Sequence, residues 1–261
     1  MNHKLDIGPR FTRRRFGAIA GGAFASFAFG DACHLESETS QTNDGRLTAR
    51  PRAGVTTSAE SRRALGLDRG RDAILQLPTK AISTPLPLLV LFHGAGGSAE
   101  GILRRLGPAA DEMDVAVLAP DSRDSTWDAM RDDFGRDVAF VDRALARVFD
   151  TVSVDPARIA VGGFSDGATY ALSFGLINGD LFRRVVAFSP GFVVEGTPHG
   201  QPQFFISHGT NDPILPIDRC SRVIVPALRK RGYDVTFREF DGGHEMPPEI
   251  AREGMRWAAA I

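Results

Sequence analysis

The chain has 261 residues, a formal net charge of −1, 43% hydrophobic and 24% charged residues. That balance describes an ordinary globular protein with enough length to bury one large core. It lacks the basic stripe that nucleic-acid partners require, and beyond residue 30 no apolar stretch is long and continuous enough to span a bilayer.

In chain order, the first signal is an address. Thr12-Arg13-Arg14-Arg15-Phe16 precedes an uncharged segment, Gly17 to Gly30, rich in Ala, Gly and Phe. Paired arginines before a weakly hydrophobic run are the pattern of a twin-arginine export signal, so residues 1–30 read as a signal peptide. Ala28-Phe29-Gly30 offers small residues to ordinary signal peptidase. Gly30-Asp31-Ala32-Cys33 instead resembles a lipoprotein box, in which Cys33 would carry a lipid anchor. The expected location is therefore periplasmic or secreted, or anchored through that lipid. Residues 31–70 are polar with little periodicity and read as a linker, with a short edge strand available over 45–51.

From residue 71 the pattern becomes regular and defines one catalytic domain over 71–261. Strands are expected at 73–77, 87–92, 115–119, 158–161, 184–189, 203–207 and 234–240. Helices are expected at 98–113, 135–150, 168–177, 219–231 and 248–260. Strands alternating with helices predict an α/β fold with a mostly parallel, doubly wound sheet. The interval 190–202 is too short for a lid domain. Cys220, at the start of a helical run, reads as a buried, unpaired thiol.

The most informative stretch is Gly163-Phe164-Ser165-Asp166-Gly167, which sits between a strand and a helix. G-x-S-x-G in that context holds a serine on a sharp turn with its hydroxyl exposed, suited to attack on a carbonyl. The following helix aims its N-terminal N–H groups at any anion forming there. A nucleophilic serine needs a base, and the base needs an orienting group. In a doubly wound sheet these follow in the order acid, then histidine. Asp212 lies after strand 203–207 and His244 after strand 234–240, where open α/β sheets gather their sites. Asp218 and Asp241 are rivals for the acid. The oxyanion donors are expected to be the N–H of Asp166 and one from the loop His93-Gly94-Ala95-Gly96-Gly97. Ala95 is assigned, with Gly94 and Gly96 as alternatives. Such donors are worth about 3–4 kcal/mol each when tested by removal.

These motifs bring out a resemblance. LFHGAGG at 91–97, APDSRDSTWD at 119–128, GGFSDGA at 162–168, ISHGTNDPILP at 206–216 and FDGGHEMPPE at 240–249 resemble the phospholipase/carboxylesterase group of α/β-hydrolases, which includes acyl-protein thioesterases. The resemblance covers roughly residues 72–261 and implies Ser165 as nucleophile, Asp212 as acid and His244 as base. Acyl-protein thioesterases carry Gln after the nucleophile, whereas this chain has Asp166. The resemblance also implies that Trp127 lines a substrate cleft. Phe192, Ile214, Leu215 and Met246 are candidates for an acyl pocket by their nearness in sequence to the catalytic loops.

Other chemistries lack support. There is no G-x-x-x-x-G-K-[ST], and neither H-E-x-x-H nor paired-cysteine spacing marks a metal. The expected activity is cofactor-free hydrolysis of a small carboxylic ester through an acyl-enzyme, with short to medium acyl chains favoured by an open cleft. A polyester or aryl-ester hydrolase of the polyhydroxybutyrate-depolymerase kind shares the fold and triad. A surface binding protein with an idle triad is the alternative from another class.

Overall fold

A run such as Leu86-Pro87-Leu88-Leu89-Val90-Leu91-Phe92 can satisfy its backbone only within a sheet and its side chains only under cover on both faces. The computed structural model describes residues 44–58, 60–80, 85–131 and 134–260, and buries every residue of that run in an eight-stranded sheet. The strands are β1 (Arg62–Ala64), β2 (Ala73–Gln76), β3 (Leu86–Phe92), β4 (Ala116–Pro120), β5 (Val154–Phe164), β6 (Arg184–Phe188), β7 (Gln203–Gly209) and β8 (Val235–Phe240). The helices are α1 (Ala99–Glu112), α2 (Arg136–Thr151), α3 (Asp166–Ile177), α4 (Ser221–Lys230) and α5 (Pro248–Ala259). This is the α/β architecture expected from the sequence.

Across the sheet the order is β1-β2-β4-β3-β5-β6-β7-β8. Strand β2 runs antiparallel to both neighbours, and the remaining pairs are parallel. From β3 the chain moves outward to β4, then resumes on the other side of β3 with β5. That reversal opens a crevice at the carboxyl ends of β3 and β5.

Two apolar layers enclose the sheet. Helices α2, α3 and α4 cover one face, where Tyr170, Phe92, Phe140, Phe149 and Phe174 are fully buried. Helices α1 and α5 cover the other, over Leu89, Leu91 and Phe205. Full burial of side chains like these contributes roughly 1.5–3 kcal/mol each. Helix α3 is buried from Gly167 to Ile177, as expected of a helix apolar on all sides.

Residues 44–70 differ from the expected linker. Leu47 and Leu65 are 3% and 5% exposed and belong to the core. No strand forms over 45–51, because side chains take its backbone donors. Asn178 accepts from Leu47 N at 2.9 Å, and one Asp142 oxygen accepts from Thr48 N and Ala49 N, both at 2.8 Å. Arg46 donates to the carbonyl of Ile177 at the end of α3 and forms an ion pair with Asp180. The folded domain therefore reaches back at least to residue 44, and the edge strand falls at 62–64. The export segment and Cys33 lie outside the described residues. Cys220 is buried and unpaired, with burial pushing its thiol pKa up to about 11. Among the described residues no helix is long and apolar enough to cross a membrane.

Candidate active site

Strand β5 and helix α3 meet at Ser165, whose φ of 58° and ψ of −122° lie where side-chain-bearing residues are rare. Such a conformation costs on the order of 1–3 kcal/mol and survives only when its surroundings over-determine it. They do so here. Ser165 N donates to the Phe188 carbonyl at 3.0 Å, and Ala168 N and Thr169 N return to the Ser165 carbonyl. The flanking glycines are obligatory on distance alone. A Cβ on Gly163 would stand 2.4 Å from the Gly167 carbonyl oxygen, and one on Gly167 would stand 2.3 Å from the Phe92 oxygen.

The loops after β7 and β8 bring the two expected partners to this serine. His244 Nε2 lies 2.8 Å from Ser165 Oγ, and His244 Nδ1 lies 2.7 Å from Asp212 Oδ2. The other Asp212 oxygen accepts from Ile214 N at 2.9 Å and Leu215 N at 2.8 Å. Burial acts to raise the Asp212 pKa. The Leu215 N–H, the His244 imidazole and the Ile214 N–H outweigh it, leaving the carboxyl below its ordinary value. The rival acids are occupied elsewhere: Asp218 pairs with Arg222, and Asp241 accepts from the Asn211 side chain. With Nδ1–H directed at a carboxylate, Nε2 is free to accept the serine proton.

The loop after β3 presses against the nucleophile. A Cβ on Gly94 would lie 3.2 Å from Ser165 Cβ. Within this loop Gly96 N donates to the Ser125 carbonyl at 2.6 Å and Gly97 N to the Gly94 carbonyl at 3.0 Å. Gly96 is thereby removed from the candidate oxyanion donors, and the Ala95 assignment is left standing beside Gly94. His93 holds the loop. Its Nε2 accepts from Ser122 N at 3.0 Å, so its proton sits on Nδ1 and is donated to the Gly94 carbonyl at 2.7 Å. Burial lowers its pKa, against the pull of that carbonyl, and the ring is neutral.

Of the residues expected to line a cleft, Trp127 requires correction. It is fully buried, donates Nε1–H to the His93 carbonyl at 2.8 Å, and packs on Phe92 and Tyr170. Its ring has no surface to offer a substrate. Met246 is 8% exposed and joins the layer of α1 and α5, lining a groove of about 280 Å³ with Arg105 and Arg252. Ile214 is 61% exposed, Leu215 half-buried, and Phe192 46% exposed. A Cβ on Gly191, the neighbour of Phe192, would lie 3.4 Å from Leu215 Cδ2, so these two loops adjoin. The Phe164 ring, next to the nucleophile, sits 4.9 Å from the His244 ring.

Several supporting residues escaped the sequence reading. Thr126 donates to Asp166 Oδ2 at 2.6 Å, tying the segment after β4 to the residue that follows the nucleophile. Two carboxylates hold that segment in shape. Asp137 accepts from Arg123 N at 2.6 Å and Asp128 N at 2.7 Å, while Asp128 accepts from Gly135 N at 2.9 Å and Asp137 N at 2.8 Å. Burial, reinforced by the charge of Asp128, raises the Asp137 pKa to about 6. The available signal was three aspartates within the quoted run 119–128 and a fourth carboxylate nine positions after Asp128.

Comparison with known proteins gives the family and the fold. The family model described as Phospholipase/Carboxylesterase matches residues 114–256. Putative esterase NocK of Nocardia uniformis subsp. tsuyamanensis is 30% identical over 66% of this chain, which spans 53% of NocK. Feruloyl esterase C of Emericella nidulans is 28% identical over 69% of this chain and 78% of its own length. Among solved structures, an S-formylglutathione hydrolase from Staphylococcus aureus superposes with a TM-score of 0.63 at 18% identity. That match covers 78% of this chain and 98% of the other, and it shows a shared fold. The chain belongs to the phospholipase/carboxylesterase family of α/β-hydrolases.

Proposed function

We propose that this chain is an exported serine esterase that cleaves small carboxylic esters by way of an acyl-enzyme. The observation that carries the reading is the unbroken Ser165–His244–Asp212 hydrogen-bonded chain on a strained elbow. Ser165 Oγ attacks the ester carbonyl as His244 Nε2 takes its proton, and the resulting oxyanion is held by the N–H groups of Ala95 and Asp166. Collapse expels the alcohol, which receives the proton from His244. Water then attacks the acyl-enzyme by the same route, releasing the acid and restoring Ser165. No cofactor takes part in these steps.

Short and medium acyl chains are favoured. Ile214 and Phe192, on the loops beside the site, are largely exposed, and no covering element lies between β6 and Asp212. Each methylene a pocket buries is worth about 0.8 kcal/mol, and an open cleft gains little of it. A p-nitrophenyl ester series from acetate to palmitate tests this. The kcat/KM is expected to fall beyond roughly eight carbons, since open solvent adds no burial. A maximum at palmitate, or a jump above the micellar concentration, would require a covering element instead.

The similarity to feruloyl esterase C and the exposed ring of Phe192 favour a second reading, an aryl-ester hydrolase. Faster turnover of methyl ferulate than of methyl butyrate would select it. Export rests on the arginine pair and the run 17–30, with Cys33 as the lipid-anchor alternative. Replacing Arg13 and Arg14 by Lys is expected to trap the precursor in the cytoplasm. The mass of the mature N-terminus separates cleavage after Gly30 from lipidation at Cys33.

A further inference from the structure

A second histidine touches the acid of the site, and the proposed mechanism does not use it. His208 lies near the end of β7, four residues before Asp212, with no exposed surface. Both ring nitrogens are engaged. Nδ1 lies 2.7 Å from Ser221 Oγ at the start of α4, and Nε2 lies 2.7 Å from the Leu215 carbonyl oxygen and 3.3 Å from Asp212 Oδ2. A carbonyl oxygen can only accept, so the proton of the ring is on Nε2, and Nδ1 accepts from the Ser221 hydroxyl. Burial lowers the His208 pKa, opposed by the Leu215 carbonyl and Asp212, so the ring is neutral.

This ring stands against both ends of a short circuit: its N–H donates to the Leu215 carbonyl, and Asp212 Oδ2 lies 3.3 Å away. Leu215 is held at its N–H by Asp212 Oδ1 and at its carbonyl by His208, while Asp212 Oδ2 shares its space between His208 and His244. The loop from Gly209 to Leu215 is otherwise anchored to the β8 side, through Thr210 N on Phe240 and Asn211 N on Gly242. His208 supplies the anchor on the other side, to β7 and α4. A neutral ring suits this place. A charged one would compete with His244 for Asp212, whereas a neutral donor holds Leu215, whose N–H bonds Asp212, and leaves the charge of the carboxylate for the imidazolium that forms during turnover.

We propose that His208 is a positioning residue for the triad, holding Asp212 in line with His244 Nδ1 from within the core. The inference rests on the triad assignment above. A misplacement of about 1 Å in a reacting constellation can cost a hundredfold, and His208→Leu is expected to lower kcat by about tenfold to a hundredfold with KM within about twofold. His208→Gln, whose amide N–H reaches towards the Leu215 carbonyl, is expected to recover most of that loss.

The experiment measures kcat, KM and the pH profile of p-nitrophenyl acetate hydrolysis, with active sites counted by a fluorophosphonate. In His208→Leu the acid limb of kcat/KM is expected to move to lower pH, because a misplaced Asp212 stabilises the imidazolium less. Ser221→Ala removes only the Nδ1 partner and is expected to show the same direction at smaller size, which keeps the test available if His208→Leu does not fold. Unchanged kcat per titrated site and an unmoved acid limb in either folded variant would overturn the proposal. Loss of wild-type turnover or labelling altogether would instead overturn the triad reading on which it rests.

Discussion

The elbow at 163–167 and the segment at 121–137 support the same site by opposite means. At the elbow, geometry is imposed by sterics. Backbone from β3 and α3 approaches so closely that glycine alone fits at Gly163 and Gly167, and Ser165 has no other place to go. The segment after β4 carries Thr126 to Asp166 and Ser125 to Gly96, and it is shaped by the buried Asp137 and the half-buried Asp128, whose carboxylates accept backbone N–H groups. The first device is indifferent to pH. The second titrates, because Asp137 has its pKa raised to about 6. The backbone of the elbow is therefore fixed independently of pH, whereas the segment that bonds the Asp166 side chain through Thr126 is not.

The largest effect should come from the sterically fixed side. Ser165→Ala is expected to lower kcat on p-nitrophenyl acetate by about 10⁶, with the fold retained, because triad members act as a unit. Asp212→Asn should cost about 10⁴ by leaving His244 in the wrong tautomer. A mild effect there, with a severe one at Asp218 or Asp241, would reassign the acid.

On the titrating side the effects are smaller and of a different kind. Thr126→Val breaks the link to Asp166 and is expected to lower kcat about tenfold with little change in KM, as a modest displacement of the residue whose N–H is the proposed oxyanion donor. An equal loss in KM would place Thr126 in substrate binding instead. Asp137 shows its influence in stability. Its pKa is raised on folding from 3.8 to about 6, so the folded state binds the proton more tightly than the unfolded state does. Stability from this group is fully present below about pH 4 and is lost as pH rises through about 6, on the order of 3 kcal/mol in all. Between pH 7 and 5 the wild type should therefore gain Tm relative to Asp137→Asn. Parallel Tm curves for the two proteins over that range would mean that Asp137 is no more perturbed than a surface carboxylate.

The same contrast governs what could be read from the residues alone. The elbow, the meeting of Asp212 and His244 with Ser165 and the sheet were legible from glycines at a forced turn, apolar runs and the carboxyl ends of strands. The first strand pairing and the packing of 44–58 were not, since Arg46 meets Asp180 across 134 positions and Thr48 meets Asp142 across 94. Polar side chains that solvate a distant backbone look the same in sequence as a solvated linker. Trp127 was misplaced for a related reason. An aromatic residue near a site in sequence resembles a cleft wall, yet its indole N–H has a buried partner in the His93 carbonyl, which draws the ring inward. His208 carried no signal beyond standing four residues before the acid, and its tautomer followed only from its neighbours.

The most direct measurement of a Ser165-centred mechanism is intact-protein and peptide mass spectrometry after treatment with a fluorophosphonate. One phosphonyl adduct per chain is expected, located on Ser165, absent from Ser165→Ala and formed far more slowly in His244→Ala. Undiminished labelling of Ser165→Ala, or an adduct on any other residue of the folded wild type, would contradict the assignment.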